Sequence, residues 1–174
     1  MRCFIGIDLP VEATKEIERL QKIIKPHFVG KTTSSENLHL TLKFLGEIED
    51  DVLNEIKKRL SSIKYHPFEL TLERIGVFSQ KIIKIVWVKI STVSLQQLID
   101  NCLNDIFKPE HRFMGHVTIA RVKKLKDKDA FLKLINSTKI NMIAFIVREF
   151  HLKESILTKE GPIYKVINKY YLKC

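Results

Sequence analysis

Between Glu36 and Glu47, apolar and polar residues alternate almost without a break. Leu38, Leu40, Leu42 and Phe44 fall on one side, and Asn37, His39, Thr41 and Lys43 on the other. A two-residue period is that of a half-buried strand. A second run, "FMGHVTIARV" from Phe113 to Val122, repeats the pattern and sets His116 beside Thr118. The remaining periodicities predict a strand over 3–9, then a helix opened by Pro10 that runs to about residue 25 on Ile17, Leu20, Ile23 and Ile24. "VGKTTSS" (29–35) reads as a polar connection into the first His-x-Thr strand, which Gly46 ends. Asp50 or Asp51 is expected to cap a second helix to about Ser61, with Val52, Ile56 and Leu60 inward.

Two strands are predicted over 68–76 and 82–90, joined by a turn around Ser79-Gln80. A helix over 93–107 follows, striped by Leu95, Leu98, Ile99, Cys102, Leu103 and Ile106 and ended by Pro109. After the second His-x-Thr strand, Asp127 or Asp129 starts a short helix through Asn136, and strands over 140–157 and 163–172 flank the turn "TKEGP". A strand, a helix and a His-x-Thr strand thus occur in 3–45 and again in 82–122. An internal duplication into two αβ lobes would give this order and bring the two histidine strands face to face.

Length and composition narrow the class. The 174 residues fit one domain or two small lobes sharing an interface. With 45% hydrophobic and 29% charged residues, the chain can bury a globular core. Its longest apolar runs, such as "MIAFIV" (142–147), are too short to span a bilayer, so no membrane association is expected. The opening "MRCFIGIDLP" is interrupted by Asp8 and Pro10 and does not read as a secretory signal, which makes the cytoplasm the expected location. Cys3, Cys102 and Cys174 are widely spaced and odd in number, fitting neither a disulfide framework nor a metal-ligand spacing. The net charge of +10 favours a polyanionic partner through a salt-sensitive field, although lysine-rich surfaces also serve solubility. One basic cluster stands out, "RVKKLKDK" at 121–128.

The two His-x-Thr elements carry the candidate chemistry. On a strand, His39 and Thr41 project from one face roughly 7 Å apart, as do His116 and Thr118. An imidazole takes or gives a proton near neutral pH, and a hydroxyl can donate to an oxyanion. Two such elements around one cleft supply an acid, a base and two donors for a single tetrahedral anion. That set suits displacement at phosphorus without a metal, one histidine activating water and the other protonating the departing oxygen. The other four histidines, His27, His66, His111 and His151, have no threonine two residues on.

With both elements in place, the sequence resembles the 2H phosphoesterase superfamily, marked by two His-x-Thr/Ser elements with hydrophobic neighbours. It is similar in particular to the RNA 2′,3′-cyclic phosphodiesterases, long called 2′-5′ RNA ligases. "RCFIGIDLP", "NLHLTLKFLGE", "IGVF…VWVKI" (75–90), "HVTIARVK" and "LTKEGPIYKVI" (157–167) match that branch in order along nearly the whole chain. The resemblance implies an α+β, bilobal 2H phosphoesterase fold over residues 1–174. Two antiparallel-sheet lobes with outer helices would flank a positively charged central cleft. It implies RNA with a 2′,3′-cyclic phosphate end as substrate, opened to a 2′-phosphomonoester, with no cofactor and a protein expected to act as a monomer. By the family pattern His39 is the proton donor and His116 the proton acceptor, while Thr41 and Thr118 bind phosphate. The residues themselves leave open which histidine plays which part. A 5′-hydroxyl replacing water would join RNA ends through a 2′-5′ bond, but hydrolysis is the expected main reaction. No phosphate-cradling G-x-x-x-x-G-K-[ST] loop is present.

Lys43 shares the alternating face of His39 and Thr41 and is a further phosphate-binding candidate. Arg121 holds the arginine position of the family's second motif and would clamp an anion, yet simple alternation puts it out of phase with His116 and Thr118. A strand end or bulge would restore its reach. Phe4 and Phe44 are candidates to stack a base but fit the core better, and Trp87 is expected inside. Two alternatives remain at this point. One is a phosphodiesterase acting on 2′-5′ oligonucleotides or small cyclic nucleotides, and the other is a non-catalytic RNA- or nucleotide-binding module.

Overall fold

The computed structural model describes residues 1–91 and 93–173, so Cys174 lies outside the described residues. Along the chain run β1 (Arg2–Asp8), α1 (Val11–Ile24), β2 (Phe28–Thr32), β3 (His39–Glu47), α2 (Asp50–Ser61), β4 (Phe68–Val77) and β5 (Ile85–Ile90). There follow α3 (Ser94–Cys102), β6 (His116–Leu125), α4 (Lys128–Ser137), β7 (Ala144–Val147), β8 (Glu149–Leu157) and β9 (Pro162–Tyr171). The architecture is α+β, with the strands in the order β7–β4–β5–β6–β3–β1–β8–β9 and β2 also paired to β6. Every described pairing is antiparallel.

The two central strands, β3 and β6, are the two His-x-Thr strands. They meet at a single register position, Leu40 opposite Val117. Outward from β3 lie β1, β8 and β9, and outward from β6 lie β5, β4 and β7, so the sheet has two matching halves. The strand–helix–strand echo of the sequence recurs as β1–α1–β3 and β5–α3–β6. The two histidine strands lie side by side in one sheet, not face to face.

The helices form where apolar residues recur at helical spacing. Ala13, Ile17, Leu20 and Ile24 are the inward stripe of α1, and Pro10 stands at its N-cap. Helix α2 begins after Glu49, and Asp50 and Asp51 occupy its first turn, not the cap, where carboxylates favour the positive helix end. Asp127 caps α4 by accepting from the Ala130 N–H at 3.0 Å. Helix α3 stops at Cys102, earlier than its apolar stripe predicts, and turns carry Leu103 and Ile106 into the same core. The stretch predicted as one strand over 140–157 divides at Arg148, because β7 pairs with β4 while β8 pairs with β1. The chain changes partner across the sheet at that point.

One hydrophobic cluster unites the inner face of the sheet with the helices, from Ile5, Leu40, Val88, Val117 and Leu152 to Ile17, Ile56, Ile99 and Phe131. Trp87 is buried, and Gly76 lies so close beneath it that an added Cβ would meet the indole at 2.4 Å. Cys3 is buried and Cys102 partly so; burial lifts the Cys3 thiol to about 11, well away from thiolate chemistry. Among the described residues no helix is long and apolar enough to cross a membrane.

Candidate active site

The pairing of Leu40 with Val117 builds the floor of the site. These two side chains are fully buried beneath the sheet. Their neighbours His39, Thr41, His116 and Thr118 therefore rise from the opposite face. In an antiparallel pair with this register, His39 stands beside Thr118 and Thr41 beside His116, so the two imidazoles are diagonal. Diagonal neighbours lie roughly 7–8 Å apart, a gap that takes one phosphate between two rings.

Both rings are held alike. His39 Nδ1 lies 2.7 Å from the Asn37 carbonyl, and His116 Nδ1 lies 2.9 Å from the Met114 carbonyl. A carbonyl oxygen only accepts, so in both rings the hydrogen sits on Nδ1 and the exchangeable position is Nε2. Each histidine is thus fixed by the backbone two residues before it, a local device that leaves the other nitrogen for chemistry.

A matching irregularity in the two strands decides what else reaches the site. In β3, Thr41 pairs with Gly6 and Lys43 with Ile5, leaving Leu42 without a partner. In β6, Thr118 pairs with Trp87 and Ala120 with Val86, leaving Ile119 without one. Each is a β-bulge, which shifts the alternation by one residue. Lys43 is thereby turned into the interior. It is 6% exposed, donates to Asp100 on α3 and lies 2.9 Å from the Lys108 carbonyl. The expectation that Lys43 shares the face of His39 and binds phosphate is corrected by this bulge. The same shift works in favour of Arg121, which comes into phase with His116 and Thr118 and lines the cleft. Thr33 and Gln21 brace the β6 bulge: the Thr33 N–H and the Gln21 Nε2 both donate to the Ile119 carbonyl, each at 2.9 Å. Phe44 occupies the place in β3 that Arg121 occupies in β6. It is 71% exposed and faces the cleft, not the core.

The cleft holds about 940 Å³ and is bounded by the four motif residues, Phe4, Phe44 and the β8–β9 hairpin. Arg2, Lys31 and Arg121 contribute three cations to its wall against the carboxylates of Glu36 and Glu160. Phe4 is buried and packs on His39, with ring centroids 4.8 Å apart. Tyr164 meets His39 edge-on, also at 4.8 Å, whereas His116 meets Phe78 edge-on at 5.0 Å. Tyr164 was not singled out from the sequence, where only its place within "EGPIYKVI" hinted at a role. Burial raises the Tyr164 hydroxyl above its ordinary value, while nearby Arg121 and Arg2 pull the other way.

His39 is pushed below its ordinary value. Burial is the main cause; Lys153 and His116 add to it, and the Asn37 carbonyl and Asp8 oppose it. Its surroundings therefore favour the neutral ring, and an entering phosphate anion works in the opposite direction. Among the described residues no three His, Cys, Asp or Glu side chains gather as a metal-ligand group.

A two-halved antiparallel sheet with one His-x-Thr strand from each half at its centre is the architecture of a 2H phosphoesterase. A model of that class, described as LigT-like phosphoesterase, matches residues 7–87 and 91–164. The chain belongs to this family. An RNA 2′,3′-cyclic phosphodiesterase of Methanocaldococcus jannaschii is 34% identical over 98% of this chain and 100% of its own length. One of Thermotoga maritima is 36% identical over 96% of this chain and 93% of its own. Among solved structures, TT0787 of Thermus thermophilus superposes with a TM-score of 0.85 at 23% identity, covering 99% of this chain and 98% of that one. Escherichia coli LigT in its apo form gives 0.74 at 23% identity, with the same coverage. At those identities the two structures speak for the fold.

Proposed function

We propose that this phosphoesterase hydrolyses the 2′,3′-cyclic phosphate end of RNA to a 2′-phosphomonoester by paired histidine acid–base catalysis. The observation that carries the reading is the diagonal pair of imidazoles, each tied through Nδ1 and each free at Nε2. The names of the Methanocaldococcus and Thermotoga relatives support the substrate.

The phosphate sits over the β3–β6 junction. His116 Nε2 accepts a proton from water as its oxygen bonds to phosphorus. His39 Nε2 donates its proton to the 3′-oxygen as the P–O3′ bond breaks. Thr41 and Thr118 donate to the non-bridging oxygens and hold the charge that grows there. Arg121 adds a guanidinium for the anion, and the exposed Phe44 ring offers a stacking surface to a base. Lys43 contributes from the interior through its ion pair. The same step with a 5′-hydroxyl in place of water makes a 2′-5′ bond, a side reaction wherever the cleft holds that second end. The enzyme works as a cytoplasmic monomer without cofactor.

The test is incubation of an oligoribonucleotide ending in a 2′,3′-cyclic phosphate with the protein in excess EDTA. A 2′-phosphate product is expected. A 3′-phosphate product, tight binding without turnover, or a requirement for added divalent metal contradicts the reading.

A further inference from the structure

Behind His39, four charged or titratable side chains converge. Asp8, the last residue of β1, stands directly across from His39, while His151 and Lys153 of β8 stand across from Gly6 and Phe4 of β1. Alternation along β1 puts Phe4, Gly6 and Asp8 on one face, so His151 and Lys153 share the face that carries His39. Lys153 Nζ donates to Asp8 Oδ1, and His151 Nδ1 lies 3.1 Å from Asp8 Oδ2. The other His151 nitrogen is 2.8 Å from Glu149 Oε1, itself 3.5 Å from Lys169 Nζ. His151 and Lys153 are each 4% exposed, and none of the four residues Asp8, Glu149, His151 and Lys153 lines the cleft.

The pair is half-buried, with Lys153 inside and the Asp8 carboxylate 43% exposed, and such an ion pair is a weak source of stability on its own. This one stands beside the imidazole that the proposed reaction needs as an acid. We propose that the Asp8–Lys153 pair is a positioning element for His39, placing one negative and one positive charge at fixed points beside the ring and so setting its protonation when substrate arrives. The inference rests on His39 being a proton-transfer group. The groups that face that ring are Lys153 on β8, Asp8 on β1, His116 on β6 and Tyr164 on β9, while His151 touches Asp8 and not the ring. Asp8 and Lys153 act on it in opposite senses, the carboxylate favouring imidazolium and the ammonium opposing it. Asp8 remains ionised to do so. Its burial works upward, but the hydrogen bonds and charges of His151 and Lys153 outweigh that and bring it to about 2.

The experiment follows His39 ring signals by NMR against pH, together with the pH profile of kcat/KM. Lys153→Met should move the His39 titration upward, and Asp8→Asn downward, each by about half a pH unit or more. The double variant should fall between them. The limb of the rate profile that tracks His39 should shift in the same directions. A role confined to packing moves neither titration, so unchanged values in folded Lys153→Met, or shifts of both single variants in one direction, overturn the proposal. Should Asp8→Asn fail to fold with Lys153 left unpaired, Lys153→Met and the double variant decide. The NMR readout needs no turnover. Opposed shifts in a protein that leaves cyclic phosphate RNA untouched would sink the substrate reading and spare this one.

Discussion

The two histidine strands share one backbone plan and differ in what surrounds it. In β3 and β6 alike, the histidine begins the strand, its Nδ1 is tied to the carbonyl two residues back, and a bulge falls at the third residue after it. Across from His39 stands the carboxylate of Asp8, whereas across from His116 stands the ammonium of Lys89, 2.8 Å from Glu73. His39 is enclosed by Phe4 and Tyr164, whereas His116 has the exposed ring of Phe78. After the bulge, one strand presents Phe44 to the cleft and the other Arg121. A symmetric frame thus sets two equally tethered imidazoles diagonally in one cleft, and unequal neighbours supply the grounds for the unequal roles proposed for them.

The largest losses are expected at the imidazoles. His39→Ala and His116→Ala should each lower kcat about 10²–10⁴-fold on a cyclic phosphate oligoribonucleotide, the usual span for a general acid or base. Retention of near-normal turnover in either variant would remove that histidine from the mechanism. The bulge residues come next, because equivalent positions do opposite things. Lys43→Met leaves Asp100 buried without its cation, a loss of about 3–5 kcal/mol of stability by denaturant unfolding, with KM for RNA little changed in the folded fraction. Arg121→Met should do the reverse, raising KM about tenfold or more at nearly constant melting temperature, as expected for a lost charge-assisted contact. An exchange of these two phenotypes would show that the bulges are misassigned. Thr41→Val and Thr118→Val, one hydrogen bond each, should cost kcat roughly tenfold.

The smallest effects are those of pH on stability. Asp8, held down at about 2, stabilises the fold fully above the ordinary carboxylate value of 3.8, and that contribution is lost as pH falls from there toward about 2. His39 is also depressed, but as a base that the fold prefers neutral. Its contribution is present above its ordinary 6.5 and is lost as pH falls from there through the lower value it has in the fold. Urea midpoints across this range should therefore fall in two steps on acidification, and Asp8→Asn should shrink the lower one, which Asp100 and Glu16, also held below the ordinary carboxylate range by their partners, share.

Much of this was legible in the sequence because period-two alternation is a direct image of a half-buried strand. Leu40 and Val117 fall under the sheet, and the histidines above it, as the alternation predicts. The phase change past Leu42 and Ile119 was not legible. A bulge inserts one residue without altering local composition, so Lys43 and Arg121 each read to the wrong face. Strand β2 was also missed: only Phe28 of its five residues is buried, and its pairing to β6 is a long-range contact that "VGKTT" does not encode by pattern. Helix α3 was read too long because Leu103 and Ile106 are truly apolar-facing, but in turns after the helix ends. The Asp8 cluster joins residues more than 140 positions apart, beyond any local signal.

In the proposed reaction one imidazole gives a proton to the 3′-oxygen while the other takes one from water. A substrate in which sulfur replaces that 3′-oxygen tests it directly, because a thiolate leaves without a proton. On this substrate the His39→Ala deficit should shrink at least about tenfold relative to the ordinary one, while the His116→Ala deficit persists. Equal deficits on both substrates for both variants, or recovery confined to His116→Ala, would contradict the assignment.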